Sequence, residues 1–288
     1  MRKIVFGFLM VGFLLLMVSP LWAEVKFSSS LSDYPNISGL ERSMILNELR
    51  EAAKLGIDEY ELDNLIKLAK RRKISPLGFK DIISVIAQAA KLHLYPDFLL
   101  SKAKEGLLKR VREDVLVDVL EKRLGYLRTS KIIIDSLGVR LDESDKRDLI
   151  FAILQNLENE LSEDVITDLI NYSFSKKVSL EDVKLVLETI SSLPPLDISD
   201  EAILKVGEFF IKKGVSVIGM EEVVNAIILS LKARVSKDAL SDFLSNAYRY
   251  KNYVALRNAI LRFTEENVKN NREKLTPTNT LPLPPPKK

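Results

Sequence analysis

Apolar residues recur three or four positions apart along most of the chain, with few interruptions between residues 38 and 264. This spacing matches the turn of an α-helix and places the apolar side chains on one face of each helix. Prolines, which end helices, are confined between residues 24 and 264 to positions 35, 76, 96, 194 and 195. The pattern predicts an all-α fold.

The predicted helix starts share a two-residue signature, an aliphatic residue followed by a residue that caps a helix N-terminus. The capping oxygen accepts hydrogen bonds from the first turn, and the aliphatic residue packs back onto the helix as a hydrophobic staple. The pairs are Ile57-Asp58, Ile74-Ser75, Leu141-Asp142, Leu161-Ser162, Val178-Ser179, Ile198-Ser199, Val215-Ser216 and Val235-Ser236.

The spacing of this signature is periodic. In the second half of the chain it begins at positions 141, 161, 178, 198, 215 and 235, so that a longer step alternates with a shorter one. One longer and one shorter step make a unit of about 37 residues, with one shorter and one longer helix. A fixed period in this range is typical of stacked helical hairpins.

Aligning the chain on this period produces columns that are apolar in nearly every unit. One column of the shorter helices reads Leu62, Leu99, Ile166, Ile203 and Leu240. One column of the longer helices reads Ile86, Ile153, Ile190 and Ile227, with Arg123 in the remaining unit. Such columns are typical of buried seams between stacked helices and predict packing rather than a cofactor site.

The period breaks between Val111 and Leu141, where the step is longer than any other. We interpret this region as one long helix from about Glu113 to about Ile134, followed by a turn at Gly138. Stacked helical hairpins of about 37 residues on either side predict a curved, right-handed superhelical array of the α-solenoid type.

The chain therefore divides into a repeat domain and two flanking segments. The repeat domain covers residues 38–264, in blocks of about 38–135 and 141–264. A polar arm is predicted before it, over residues 24–37. After it, residues 265–288 are polar and then proline-rich, which predicts a disordered tail.

The first residues of the chain have the three parts of a bacterial export signal. Arg2 and Lys3 precede an uncharged apolar run over residues 4–18 and then Ala23, a small residue that suits signal peptidase cleavage. As a helix the apolar run spans about 22 Å, less than the roughly 30 Å of a bilayer core. We therefore predict a signal peptide over residues 1–23 and a periplasmic or secreted bacterial protein.

An uncleaved form is the alternative. Leu21 lies two residues before Ala23, where signal peptidase prefers a small side chain. The segment would then anchor the protein in the inner membrane. A bacterial lipid anchor is not expected, because it needs a cysteine and the chain has 0 Cys.

Composition excludes several classes of site. Without Arg2 and Lys3 the chain carries 41 basic and 40 acidic side chains. The chain is therefore nearly neutral and lacks the excess of positive charge that attracts nucleic acid, so no nucleic-acid partner is expected. With 0 Cys and His93 as the one histidine, His/Cys zinc sites and Cys–His nucleophiles are excluded. We predict no catalytic residue, cofactor or metal, and interpret His93 as a residue of a helix junction.

Pairs of basic residues close the predicted shorter helices and are the strongest repeated polar feature. Their position is the one that the helix dipole favours for cations. If the hairpins stack, the pairs would also form a basic edge for an anionic partner. The residues are Arg72, Lys73, Lys109, Arg110, Lys176 and Lys177, with Lys212-Lys213 displaced by one position.

A tyrosine and arginine cluster near the last hairpin is a candidate partner-binding surface, since these residue types dominate binding hot spots. The alternative is an end cap for the array. The cluster consists of Tyr248, Arg249, Tyr250, Tyr253 and Arg257.

Acid pairs at helix starts, such as Glu143 with Asp145 and Glu181-Asp182, are the pattern that a glycan hydrolase would use. The helix dipole explains acids at these positions without any substrate.

Part of the sequence resembles uncharacterised exported bacterial all-helical proteins. The likeness lies in residues 74–79, in the run Lys-Ala-Lys-Glu-Gly-Leu at 102–107, and in residues 119–121. Helices in that group begin with Gly-Val-Pro or Leu-Pro, where this chain has Val111-Arg112. The resemblance implies export and a helical fold and assigns no residue roles.

Together these features favour a non-enzymatic helical-repeat protein that binds a protein or peptide of the cell envelope. One alternative is a cell-wall glycan hydrolase that uses helix-borne carboxylates. Another is a carrier of an apolar ligand, which would need a cavity between the two blocks.

Cleavage after Ala23 removes Trp22, the one tryptophan of the chain. Protein purified from outside the cytoplasm of the producing cell should therefore show no tryptophan emission. Its intact mass should equal that of a chain that begins at Glu24. Tryptophan emission together with the mass of the uncut chain would instead support the anchored form.

Overall fold

The structure is a computed structural model that describes residues 27–275, with side chains described to residue 270. Over these residues the chain forms α-helices, short 3-10 turns and connections without a β-strand, which confirms the predicted all-α fold. The predicted signal peptide, residues 1–23, lies outside the described residues, as do residues 276–288 of the predicted tail.

The helices follow one another through short connections, with 3-10 turns at Pro194–Leu196 and Ala247–Arg249. Within residues 27–275 none of them combines the length and hydropathy required to cross a membrane. The α-helices are α1 (Gly39–Lys54), α2 (Glu59–Arg72), α3 (Pro76–Lys91), α4 (Pro96–Leu108), α5 (Glu113–Ser136), α6 (Glu143–Glu158), α7 (Glu163–Ser175), α8 (Leu180–Ile190), α9 (Asp200–Lys213), α10 (Val217–Lys232), α11 (Lys237–Leu244) and α12 (Tyr253–Leu275).

The described chain forms two compact units, divided between Ile132 and Ile133. In the first unit α1 packs against α3, α2 packs against α4, and α3 also contacts α4. Leu62 and Leu99, from the same sequence column, are both 0% exposed. Each buried side chain of this size contributes about 1.5–3 kcal/mol to folding.

The second unit contains two rows of helices. The long row consists of α6, α8, α10 and α12, each packed against the next; the short row consists of α7, α9 and α11, packed in the same way. Contacts between α6 and α7, α7 and α8, α8 and α9, and α10 and α11 join the rows. The apolar columns are fully buried here, as Ile153, Ile190 and Ile227 in the long row and Ile166, Ile203 and Leu240 in the short row show.

A three-residue connector ends one helix and begins the next. Between α7 and α8, Lys177 adopts the left-handed conformation, with φ 56°, and its N–H donates to the Phe174 carbonyl at 3.0 Å. The Val178 N–H reaches back to the Ser173 carbonyl at 3.1 Å, which completes a Schellman motif. The Ser179 hydroxyl then accepts from the Asp182 N–H at 3.2 Å and caps α8.

The same connector recurs along both units. Within each unit its left-handed residues alternate between a shorter and a longer step, with the period seen in the sequence. Most of them carry a side chain, although glycine adopts this conformation at lower cost. They are Gly56, Lys73, His93 and Arg110 in the first unit and Glu160, Lys177, Asp197, Gly214 and Arg234 in the second.

The segment predicted as a polar arm, residues 24–37, is packed where the structure describes it. Residues 27–30 form a helical turn, and Phe27, Leu31 and Tyr34 are at most 3% exposed. The Tyr34 hydroxyl donates to the Ile74 carbonyl at 3.1 Å, and burial raises its pKa. These three side chains follow helical spacing, so the segment is part of the core of the first unit.

Polar contacts hold this segment against α2. The Ser30 hydroxyl donates to the buried carboxylate of Asp63, whose other oxygen lies 2.7 Å from the Lys67 ammonium. The Lys70 ammonium donates to the Ser30 carbonyl at 3.1 Å and to the carboxylate of Asp33. The buried charge of Asp63 is therefore paired, as a buried carboxylate requires.

The last helix also departs from the prediction. The repeat domain was expected to end at residue 264, but α12 continues to Leu275. Leu256 and Ile260 are buried, whereas Phe263 and Asn267 are half-buried. A helix that buries one narrow stripe needs few apolar residues, so the polar composition after residue 264 does not end it.

Replacing Glu160 by glycine should stabilise the protein. Glu160 is exposed, has φ 66°, and follows the C-terminus of α6, where a negative charge is unfavourable. Glu160→Gly should raise the free energy of unfolding by about 0.5–1 kcal/mol, measured by urea denaturation followed by circular dichroism.

Lys177→Gly is the matched control, since it relieves the same backbone conformation but removes a favourable cation from a helix C-terminus. It should therefore stabilise less than Glu160→Gly. An equal gain from both variants would show that the charge of Glu160 is without effect, and a loss at Glu160 would contradict the prediction.

Candidate functional site

Helix α8 is shorter than its neighbours in the long row. It begins in register with them, because Glu143, Leu180 and Val217 lie one repeat unit apart. It ends at Ile190, although the position in register with the ends of α6 and α10 is Pro195. Prolines 194 and 195 have no N–H, and their rings clash with the carbonyls four residues earlier, so the helix cannot continue.

Hydroxyl groups replace the missing donors at the end of α8. The Thr189 hydroxyl donates to the Leu185 carbonyl at 2.7 Å, the Ser191 hydroxyl to the Glu188 carbonyl at 2.7 Å, and the Ser192 hydroxyl to the Thr189 carbonyl at 3.1 Å. The Glu188 and Thr189 carbonyls lie in the last turn of the helix, where backbone donors run out, whereas the Leu185 carbonyl lies within the helix. In this arrangement each hydroxyl donates to the helix and keeps acceptor lone pairs.

A groove runs beside the shortened helix. Three cavities of about 270, 460 and 550 Å³ adjoin one another, since the first two share Glu188 and the last two share Leu185 and Val217. We call this surface the α8 groove. The first cavity is lined by Gln155, Glu158, Asn159, Glu188 and Ser191, and the second by Leu185, Glu188, Thr189, Ser192, Val217, Glu221, Val224 and Asn225.

The third cavity is more apolar and lies at the connectors. Phe210, Ile211 and Met220 line it together with the first residues of α8 and α10, and Lys177 and Asp182 also border it. Val217, which it shares with the second cavity, is 37% exposed. The groove thus changes from polar and acidic beside α6 to aliphatic at the start of α10.

The acid pairs at the helix starts serve as caps and first-turn residues. The Asp145 N–H donates to the Asp142 carboxylate at 2.8 Å, and the Asp182 carboxylate accepts from the Ser179 hydroxyl at 2.6 Å. Glu188 shares the first cavity with Glu158 and the second with Glu221, and Glu188 and Glu221 are exposed. Among the described residues that line the second cavity there is no aromatic ring on which a sugar would stack.

Metal chemistry finds no support over residues 27–275, where no group of three or more His, Asp or Glu side chains is placed to hold an ion. His93 lies in the first unit, exposed, in the left-handed position of the connector between α3 and α4. This is the junction role that the sequence predicted for it.

The first two basic pairs lie at neighbouring helix ends. The Arg72 guanidinium donates to the Leu108 carbonyl at the end of α4, at 3.2 Å. Lys73 and Arg110 both occupy left-handed connector positions. Arg72 therefore satisfies a helix-terminal carbonyl of the next helix in the row, a structural role that needs no anionic partner.

The lysine at the end of α4 also makes a local contact. The Lys109 ammonium lies 2.5 Å from the Glu105 carboxylate, and hydrogen bonds from Lys109 and then Lys102 lower the pKa of Glu105 to about 2. In the second unit the Lys176 ammonium lies 5.4 Å from the centre of the Tyr172 ring, and Lys177 lines the third cavity of the α8 groove. Arg72, Lys109 and Lys176 thus make contacts at helix ends.

The tyrosine and arginine cluster divides into two parts. Tyr248 is 48% exposed, and the Arg249 guanidinium lies over its ring, 5.6 Å from the centroid, and donates to its hydroxyl at 3.2 Å. Tyr250 lies 6.1 Å from the Phe243 ring. Tyr248 and Arg249 therefore form an exposed pair, whereas Tyr250 belongs to an aromatic contact inside the last hairpin.

The other two residues of the cluster pack onto α10. The ring of Tyr253 lies against Gly219, where an added Cβ would meet it at 3.0 Å. The Arg257 guanidinium donates to the Glu222 carboxylate at 2.8 Å. Both residues join the final helix to the row, which agrees with the end-cap interpretation of these two positions.

Sequence reasoning missed the α8 groove. The signal that would have located it is Pro194-Pro195, at positions where the other long helices continue. The sequence shows these prolines, but the cavities beside α8 depend on its packing between α6 and α10, which the sequence does not show.

Tyr253→Ala should lower the free energy of unfolding by about 1–2 kcal/mol, because it removes half-buried aromatic area from the contact with α10. Tyr248→Ala should change it by less than about 0.5 kcal/mol, because that ring is exposed. Guanidinium denaturation of both variants measures the difference. Equal losses would contradict the division of the cluster.

Comparison of the sequence with protein-family models finds no match, and comparison with curated proteins finds none either. Any assignment of function therefore depends on the geometry of this chain. The α8 groove is the candidate functional site, because three adjoining cavities lie beside the shortened helix α8.

Proposed function

We propose that this chain is a non-enzymatic helical-repeat protein that binds a protein or peptide of the cell envelope in the α8 groove. The observation that carries the proposal is the continuity of three cavities across α6, α8 and α10. A groove of this length suits an extended chain better than a compact small molecule. Its carboxylates lie in an open groove, which favours binding over acid–base chemistry.

We also infer that the helices form a curved, right-handed array of the α-solenoid type. Each long-row helix contacts the next long-row helix, two elements further along the chain, as stacked hairpins require. Polar contacts between elements support the same inference, since they join residues about one repeat unit apart. Examples are Lys70 with Asp33, Arg72 with Leu108, Ser75 with Glu113, Lys184 with Asp148, Lys237 with Asp197 and Arg257 with Glu222.

Export is part of the proposal and depends on the segment that precedes Glu24. The apolar run over residues 4–18 and the absence of cysteine suit a periplasmic or secreted bacterial protein, with a tethered inner-membrane form as the alternative. In either form the repeat domain would meet its partner outside the cytoplasm.

Site-specific photo-crosslinking tests the proposal in the producing cell. A photoreactive side chain at Asn225, which is exposed and lines the second cavity, should form a covalent product with a discrete partner protein or peptide. The same group at Asp168, exposed on α7 in the short row, should form none.

Circular dichroism of both substituted proteins establishes that they fold alike. Crosslinks of equal yield from the two positions would indicate random encounters and count against the groove. The absence of any product at Asn225, with the protein present at its normal level, would overturn the proposed function.

A further inference from the structure

The α8 groove offers hydrogen-bond acceptors and negative charge. Glu158, Glu188 and Glu221 line its first two cavities, and no lysine or arginine is among the described residues that line them. The hydroxyls of Thr189 and Ser191 have already donated to carbonyls of α8, so a ligand meets their lone pairs. A ligand that fits this surface must supply donors.

The helix ends beside the groove strengthen this preference. Lys54, Lys91 and Lys232 lie in the last turns of α1, α3 and α10, where a cation compensates the negative end of the helix dipole. The last turns of α6 and α8 contain no basic residue, and α6 ends on Glu158. Both of these helix ends border the first cavity, although the last turns of α4, α5, α7 and α11 contain no basic residue either.

The remaining lining residues match a peptide. The amides of Gln155 and Asn225 both donate and accept, as a peptide backbone requires, and Leu185, Val217 and Val224 provide aliphatic contact. A metal ion would make no use of the aliphatic side chains. The lining therefore combines charged, amide and aliphatic groups, as an extended polypeptide segment does.

We propose that the α8 groove binds an extended peptide segment through lysine or arginine side chains that pair with Glu188 and Glu221. This inference rests on the proposed function and adds the chemical class of its partner. Carboxylate–ammonium and carboxylate–guanidinium contacts orient the segment, and the amides hold its backbone.

Fluorescence anisotropy with the full chain and a dye-labelled octalysine peptide tests the proposal. The peptide should bind, and it should bind more weakly as salt is raised, whereas labelled octaglutamate should not bind. The double variant Glu188→Gln and Glu221→Gln should weaken octalysine binding by about tenfold.

The matched control is Glu163→Gln with Glu201→Gln, which changes the net charge equally in the first turns of α7 and α9, in the short row. It should leave octalysine binding unchanged. Equal weakening by the two double variants would show attraction to the overall charge and overturn the proposal. A groove filled by a second copy would appear in light scattering as a dimer that Glu188→Gln with Glu221→Gln dissociates, and would overturn it as well.

The two proposals fail in different ways. Crosslinks from Asn225 in cells without octalysine binding would refute the cationic peptide and leave the proposed function in place. Absence of both the crosslinks and the octalysine binding would refute both proposals.

Discussion

The backbone polar groups at helix ends set the constraint on which this architecture depends. The last carbonyls of a helix need donors, and the first amides of the next need acceptors. Three residues such as Lys177, Val178 and Ser179 meet both needs while the chain reverses direction. The left-handed residues recur with a regular alternation of shorter and longer steps, although the cap varies, since Tyr95 and Ser236 make no capping hydrogen bond. We infer that this alternation stacks the helices side by side.

Because the long-row helices begin at a regular spacing, the shortening of α8 is a local change. The starts of α6, α8 and α10 keep the repeat spacing, so the loss of the last turn of α8 shifts none of its neighbours. The chain forms the 3-10 turn Pro194–Leu196 in place of the last helical turn, and Leu193 is fully buried. Prolines 194 and 195 prevent α8 from continuing, and the hydroxyls of Ser191 and Ser192 donate to the carbonyls of Glu188 and Thr189 near its end.

Much of the fold could be predicted from the sequence because its determinants are local or periodic. The helix α5 spans Glu113–Ser136, close to the long helix inferred from the break in period. The aliphatic residues of the signature have a role that the sequence did not show. Val178 and five of its equivalents also close the preceding helix, because their N–H groups donate to carbonyls of its last turn. The five are Ile57, Ile74, Leu161, Val215 and Val235.

Features that depend on tertiary packing were harder to predict from the sequence. Phe27, Leu31 and Tyr34 were missed because a turn this short carries too few residues for a periodic signal, although Ile37-Ser38 repeats the signature just after it. Within the cluster near the last hairpin, composition alone could not separate Tyr248, which is exposed, from Tyr253, which packs on α10. Neighbours in sequence diverge there because the chain turns between them.

Acidic residues lie at the end of α6, beside the α8 groove. Glu158 ends α6, and Glu160 follows it in the connector, so two acids lie where the helix dipole is already negative. Each such placement costs about 0.3–1 kcal/mol. The buried seams of the long row offset this cost, since one buried isoleucine contributes more. A cationic segment in the groove would add opposite charge beside these acids, and its binding free energy would then stabilise the folded chain.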